Sequence, residues 1–139
     1  MRFMIIVKAT KDSEAGAMHG EKLLAAMAAY HEELARAGVL LDASGLKHSS
    51  TGWRIRYEGD KRSVVDGPFA ETKELVAGYT MIQVKSRDEA MEWTRRFPNP
   101  AIDGGVGEIE VRQFFEFEDF GESAAMERFR ELDAAKAKD

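Results

Sequence analysis

Two short runs set the tightest constraint on how this chain can fold: "RFMIIVK" (Arg2 to Lys8) and "AGYTMIQVK" (Ala77 to Lys85). In the first, Phe3, Ile5 and Val7 form one alternate set and Met4 and Ile6 the other, and both are apolar. In the second, Tyr79 and Met81 stand against Ile82 and Val84, again apolar on both sides. A strand with water on one side alternates apolar with polar residues, so these two strands require a sheet covered on both faces.

The segments between them supply one cover. After a polar loop from Thr10 to Gly20, "EKLLAAMAAYHEELARAG" (Glu21 to Gly38) places Leu23, Met27, Tyr30 and Leu34 on one helical face, with Gly38 as its stop. "SRDEAMEWTRRFPNP" predicts a second helix: Ser86 and Glu89 have capping-box spacing, Ala90, Trp93, Thr94 and Phe97 share a face, and Pro98 and Pro100 end it. "VLLDASGLKHSSTG" (Val39 to Gly52) is a short extended piece running into turns. "WRIRYE" and "KRSVVD", joined at Gly59 and Asp60, read as a hairpin with Trp53, Ile55 and Tyr57 on one face. "GEIEVRQFFEF" (Gly107 to Phe117) is a last strand, and the segment after it predicts a terminal helix with Met126, Phe129 and Leu132 as a thin apolar seam.

That order fits an α+β fold of ferredoxin-like, split βαβ type, with both helices on one face of an antiparallel sheet. The other face then needs a cover of its own. A second identical chain, packed sheet to sheet as a dimeric α/β barrel, is the expectation; the alternative cover is the terminal helix folded back. The boundaries expected are a domain over residues 1–117 and a C-terminal helical extension over 118–139.

Composition narrows the functional classes. At 139 residues and 44% hydrophobic, the chain suits one domain with its own core. It contains no cysteine, which removes disulfides, thiolate catalysis and cysteine-ligated metals. A net charge of -5 argues against nucleic acid as a partner. The apolar start is far shorter than the roughly 20 residues of a membrane span, and no cleavage site follows it, so a soluble cytoplasmic protein is expected. The three histidines are widely spaced and lack the pattern of a zinc site, and "DGGVGE" near Gly104 is no phosphate loop; no metal or cofactor is implied.

One stretch carries more than turn chemistry: "DGPFAETKE" (Asp66 to Glu74). Asp66 cannot bond the amide two residues on, because Pro68 has none. Its carboxylate has two options, capping the Phe69 amide or facing a cavity as a free acceptor.

"VVDGPFAETKELVAGYTMIQVKSRDEAMEW", preceded by "FMIIVKA" and followed by "IEVRQ", resembles the YCII-related family, also called DGPF-domain proteins after Asp66 to Phe69. The resemblance implies a dimeric α/β barrel with a small pocket between sheet and helices in each subunit. For function it implies less: a His–Asp pair has been suggested as an active site in some members, and others sit beside extracytoplasmic-function sigma factors. Where many relatives carry a Gly- and Glu-containing turn after the first helix, this chain has "LLDASGL", with Asp42 and Ser44, so a pocket lined there would differ.

Carried over, Asp66 is the motif aspartate and His31, at the border of the first helix's apolar stripe, its best partner. Paired with a carboxylate, a histidine can pass protons near neutral pH; unpaired, it is an ordinary helix-edge residue. Arg112 either belongs to a wet strand face with Glu110 or holds an anionic substrate through its fork of donors. Phe69 is expected to anchor the motif loop, and Tyr79 to lie in the core or at the dimer surface; both are candidate binding residues. His19 is expected in solvent and His48 has only a minor claim. Two functions remain open: a small acid–base lyase or isomerase acting through His31 and Asp66 on a compact anionic molecule beside the DGPF loop, or a non-catalytic ligand sensor that contacts a regulator such as a sigma factor.

Overall fold

A computed structural model describes residues 1–137, and the last two residues of the expected 118–139 extension lie outside it. Its centre is β1 (Arg2–Lys8), flanked on one side by β5 (Val76–Gln83) and on the other by β6 (Ile109–Gln113), with β2 (Leu40–Gly45) at the far edge of β5. Every neighbouring pair is antiparallel, in the order β2-β5-β1-β6. Two helices make the crossovers: α2 (Glu21–Arg36) joins β1 to β2, and α3 (Arg87–Arg95) joins β5 to β6. Each crossover skips one strand position.

Register decides which side chains meet these helices. Phe3 lies opposite Ile82, and Ile5 opposite both Thr80 and Val111. Phe3, Ile5, Ile82 and Val84 then share one face with Tyr30 and Leu34 of α2 and Ala90 of α3, with Trp93, Phe97 and Val111 packed around them. Ile5, Leu34 and Ile82 are fully buried, each worth about 1.5–3 kcal/mol relative to exposure. On the reverse face Met4, Ile6, Tyr79 and Met81 are half-buried, and Glu110 and Arg112 stand beside them.

Local chemistry sets the helix ends. After α2 the chain enters the left-handed region at Gly38 (φ 74°), and the Gly38 and Val39 amides return to the Ala35 and Leu34 carbonyls, a Schellman stop. Ser86 caps α3 through the Glu89 amide at 3.1 Å, but Glu89 reaches back to the Lys85 amide (2.9 Å), one residue before the cap.

Three expectations need revising. The loop between β1 and α2 contains a one-turn helix, α1 (Lys11–Glu14), closed by reciprocal bonds between Thr10 and Ser13. The hairpin of β3 (Trp53–Glu58) and β4 (Lys61–Asp66) forms a separate two-stranded sheet, and the expected short extended piece supplies the main-sheet strand instead. With Arg54 and Arg56 on one face, the hairpin could not be covered on both sides. The last strand stops at Gln113, and a 3₁₀ turn at Phe117–Phe120 precedes α4 (Ala124–Ala137), which leaves Phe129 and Leu132 exposed. Among the described residues no helix is long and apolar enough to cross a membrane.

Tyr30 is the polar pin of the core. Its hydroxyl donates to the Trp93 carbonyl at 2.8 Å, tying α2 to α3. Burial pushes its phenol from the ordinary 10.0 up to about 12, with Arg96 opposing and Glu33 adding to the rise. A raised pKa means that the folded state favours the protonated phenol, so this stability is complete below the unfolded value and fades as pH climbs through the folded one. Tyr30→Phe should cost about 1 kcal/mol at neutral pH. In urea unfolding, the gap between wild type and variant should shrink between pH 10.0 and about 12; a gap that stays constant would show that folding does not raise the Tyr30 pKa.

Candidate functional site

The DGPF stretch is a clamped loop. The Gly67 amide donates to the Gly52 carbonyl at 3.0 Å, and the Phe69 amide to Ser49 Oγ at 3.1 Å. Ser49 is held in turn by Glu14 of α1, whose carboxylate accepts from both its amide (2.9 Å) and its hydroxyl. The Arg54 guanidinium lies 3.8 Å over the Phe69 ring. Gly67 is required by close approach: a Cβ there would stand 1.9 Å from the Ser49 carbonyl oxygen.

These contacts answer where Asp66 points. It does not cap the Phe69 amide, because Ser49 has taken that donor. Asp66 lies exposed at the end of β4, opposite Trp53.

A hollow with mainly apolar walls lies elsewhere, between α2 and the β2–β5 end of the sheet, with a volume of about 340 Å³. Its origin is a gradient of side-chain size. Inward-facing residues of β5 shrink from Ile82 through Thr80 to Gly78, and the residues of β2 paired with them run from Leu40 to Ala43 to Gly45. Where Leu34 and Ile82 meet, the gap between helix and sheet is filled; toward Met27 and Ala28 it stays open. Leu24, Met27, Phe97 and Pro100 give it apolar walls, while Thr10, Ser13, His19 and Lys8 bring polar atoms to it.

His31 is on that wall. Its Nδ1 lies 2.7 Å from the Met27 carbonyl oxygen and its Nε2 2.8 Å from Thr80 Oγ1. Tyr30 and Phe97 stand edge-on to the ring, with centroids 5.5 and 6.1 Å away, and fix its plane. Thr80 itself is only 2% exposed.

The other candidates distribute unevenly. Tyr79 is a wall residue of the hollow, but its side chain belongs to the reverse face of the sheet, where its hydroxyl donates to Asp42 at 3.0 Å, and this bond and the nearby negative charge push the phenol's pKa up. Ser44 is a wall residue and His19, expected in solvent, is both exposed and at the wall. Asp66, Phe69 and Arg112 are not wall residues of this cavity. Arg112 is exposed and pairs with Glu110 at 3.2 Å, the wet-face arrangement. His31 and Asp66 are therefore not joined within one chain, since both His31 nitrogens are engaged by Met27 and Thr80. This cavity lies under α2, away from Asp66 to Phe69, while Thr72, Lys73 and Glu74 of the same stretch border a different hollow.

A second, larger hollow of about 590 Å³ lies between Lys8, Lys11, Lys73, Glu74, Glu108 and Glu110. Its charges are mixed and neutralise one another, so it lacks the cavity's combination of apolar walls and a single hydrogen-bonded imidazole. Among the described residues no three His, Asp or Glu side chains gather as a metal would need.

Thr80, Ser49 and Glu14 escaped the sequence reading. A signal for Thr80 existed: it is the hydroxyl-bearing residue on the buried alternate set of its strand, and such a group must find a partner.

A sheet with two crossover helices on one face and a clamped Asp-Gly-Pro-Phe loop defines a small α+β protein of one kind. The sequence model of the YCII-related domain matches residues 1–118, and the chain belongs to that family. An uncharacterized protein of Rhizobium meliloti (strain 1021) is 32% identical over 92 residues, covering 66% of this chain and 73% of its own. Among solved structures, 5-chloro-2-hydroxyhydroquinone dehydrochlorinase from Burkholderia phenoliruptrix AC1100, in complex with 2,5-dihydroxybenzoquinone, is similar at a TM-score of 0.46 and 16% identity, over 84% of this chain and 95% of that one.

The clamp yields a direct prediction. Gly67→Ala forces a methyl against backbone that has no side chain to move aside, and should destabilise the protein by about 1–3 kcal/mol in chemical denaturation. Unchanged stability would mean that the loop does not sit on Ser49.

Proposed function

We propose that this protein binds a compact, mainly apolar small molecule in the cavity under α2 and exchanges a proton with it through His31, as a lyase or isomerase step requires. The single observation that carries the reading is His31 on an apolar wall with its ring held between Met27 and Thr80. A cavity of about 340 Å³ suits a ring-sized molecule with a few substituents. No carboxylate lies among its wall residues, in a chain of net charge -5, so an anionic ligand meets no repelling neighbour there.

The same reading includes pairing of two chains in a ferredoxin-like, dimeric α/β barrel. Its support is the half-buried apolar set Met4, Ile6, Tyr79 and Met81, together with the hairpin face of Trp53, Ile55, Tyr57 and Val64, which are 40–65% exposed. Asp66, Phe69 and Arg112 can contribute to binding only if a second chain brings them to the cavity. Light scattering at micromolar concentration should give about twice the 15.5 kDa chain mass; a monomer would remove both the pairing and these three residues from the site.

A second reading, a non-catalytic sensor that contacts a regulator such as a sigma factor, draws on the far end of the chain. Phe115 and Phe120 pack together at 4.8 Å and are largely exposed, as are Phe129 and Leu132, and residues beyond 118 lie outside the family match.

Thermal-shift screening against small organic acids separates these readings. A ligand at about a hundredfold excess over its Kd stabilises by about 2.7 kcal/mol. Ala28→Leu, which fills the cavity at a good helix position, should abolish that shift with little change to the free protein. His31→Ala should keep binding and lose turnover if the protein is an enzyme; stabilisation with no turnover in wild type supports the sensor. A ligand still bound by Ala28→Leu would place the site elsewhere.

A further inference from the structure

All but one of the polar side chains on the cavity wall are bound to the protein itself. His31 and Thr80 bond each other, and the second His31 nitrogen meets Met27. Thr10 and Ser13 are joined by the reciprocal cap of α1. The Ser44 hydroxyl donates to the Gly45 carbonyl at 3.3 Å. Tyr79 donates to Asp42, and the Lys8 ammonium stands 3.8 Å from Glu110, a residue of the reverse face. His19 is left: it is a wall residue, it is exposed, and among the described residues neither of its ring nitrogens has a partner.

A polar group carried into an apolar cavity must find a partner there or lose its hydration without compensation. Resting on the cavity reading above, we propose that His19 binds the acidic head of the ligand, and that the strap of residues 16–20 closes over the mouth to bring it there. A neutral imidazole carries one N–H and an imidazolium two, so His19 can donate to an anionic oxygen in either state. The ligand class follows: a ring-sized apolar body against Leu24, Met27 and Phe97, with one carboxylate or phenolate at the strap.

The bonding of the strap permits that motion. One end is tied to α1, where the Gly16 amide donates to the Ser13 carbonyl at 3.1 Å and the Ala17 amide to the Asp12 carbonyl at 3.0 Å. The other end enters α2, where the Gly20 carbonyl accepts from the Leu24 amide at 3.1 Å. Between these ties the amides of Met18, His19 and Gly20 have no partner among the described residues, so turning them inward breaks no hydrogen bond. Met18, next to the wall residue, is 84% exposed. Closure would bury its apolar side chain against the ligand, which supplies a driving force.

Benzoate, an aromatic ring with a single carboxylate, tests the proposal. NMR of the whole chain follows the amides of Met27, Ala28 and Gly78 for occupancy, and the Met18 and His19 amides with the His19 ring for closure. In wild type both groups should shift with one midpoint, and hydrogen exchange at Met18 and His19 should slow at saturation. His19→Ala, and His19→Phe, which keeps a ring but has no N–H, should each weaken benzoate about tenfold, the size of one hydrogen bond to a charged group. Because His19 is exposed, the melting temperature of the free protein should not change in either variant. Cavity shifts with a silent strap, or wild-type affinity in either variant, would overturn the role of His19 and leave the cavity reading standing. No shift at Met27, Ala28 or Gly78 in wild type would overturn the cavity reading and this inference with it.

Discussion

The pairing of β1 with β5 in the register that sets Ile5 against Thr80 is the constraint from which the rest follows. Side chains alternate across a sheet, so this one choice sends Phe3, Ile5, Gly78, Thr80 and Ile82 toward the helices and Met4, Ile6, Tyr79 and Met81 away from them. A slip of one residue would exchange the two sets. Tyr79 would be driven into the space occupied by Leu34 and Tyr30, and His31 would lose the hydroxyl that fixes its Nε2. Packing and chemistry thus share a cause: the fully buried Ile5 and Ile82, which make a slip costly, also hold Thr80 in place.

Within that frame the cavity is a consequence of where large residues run out. Tyr30 closes the core at one level of α2 by bonding to α3, and His31, the next residue, turns about 100° around the helix to the edge of the same stripe. One helical turn earlier, Met27 and Ala28 face Gly45 and Gly78 across a gap that nothing fills. The open end is therefore built from the same elements as the closed end, with smaller side chains. A site on rigid helix and strand holds its groups more tightly than one on a loop.

Much of this architecture was legible in the sequence. The apolar runs at Phe3 and Tyr79 announced a central pair of strands, Gly38 and Ser86 announced helix ends, and the border position of His31 announced its reach toward a cavity. Assigning the hairpin to the main sheet failed because "LLDASG" has weak strand character; its pairing with β5 is supplied by tertiary contact and not by propensity. The site was legible only in part. Helical spacing reveals where His31 stands but not what its nitrogens touch, because Met27 lies one turn away while Thr80 is separated from it by 49 residues. Likewise Asp66, Phe69 and Arg112 are conspicuous as residue types, and their actual neighbours depend on how the separate hairpin and the outer sheet face are placed.

The clamped loop clarifies what a sequence motif can mean. Phe69 is pinned by its amide to Ser49 and by its ring to Arg54, and Gly67 is pressed against backbone so closely that no other residue fits. Ser49 depends on Glu14, which belongs to α1, the same one-turn helix that contributes Ser13 to the cavity wall. The motif is thus linked to the cavity mechanically: it holds the segment after β4 against the turn before β3, and through Glu14 it holds α1 at the rim. Loosening the loop would shift the rim without touching His31 or Thr80. Gly67 to Phe69, the most recognisable residues of the chain, are thus held in a loop that meets the cavity only through Ser49 and Glu14, apart from the hydrogen bond between His31 and Thr80.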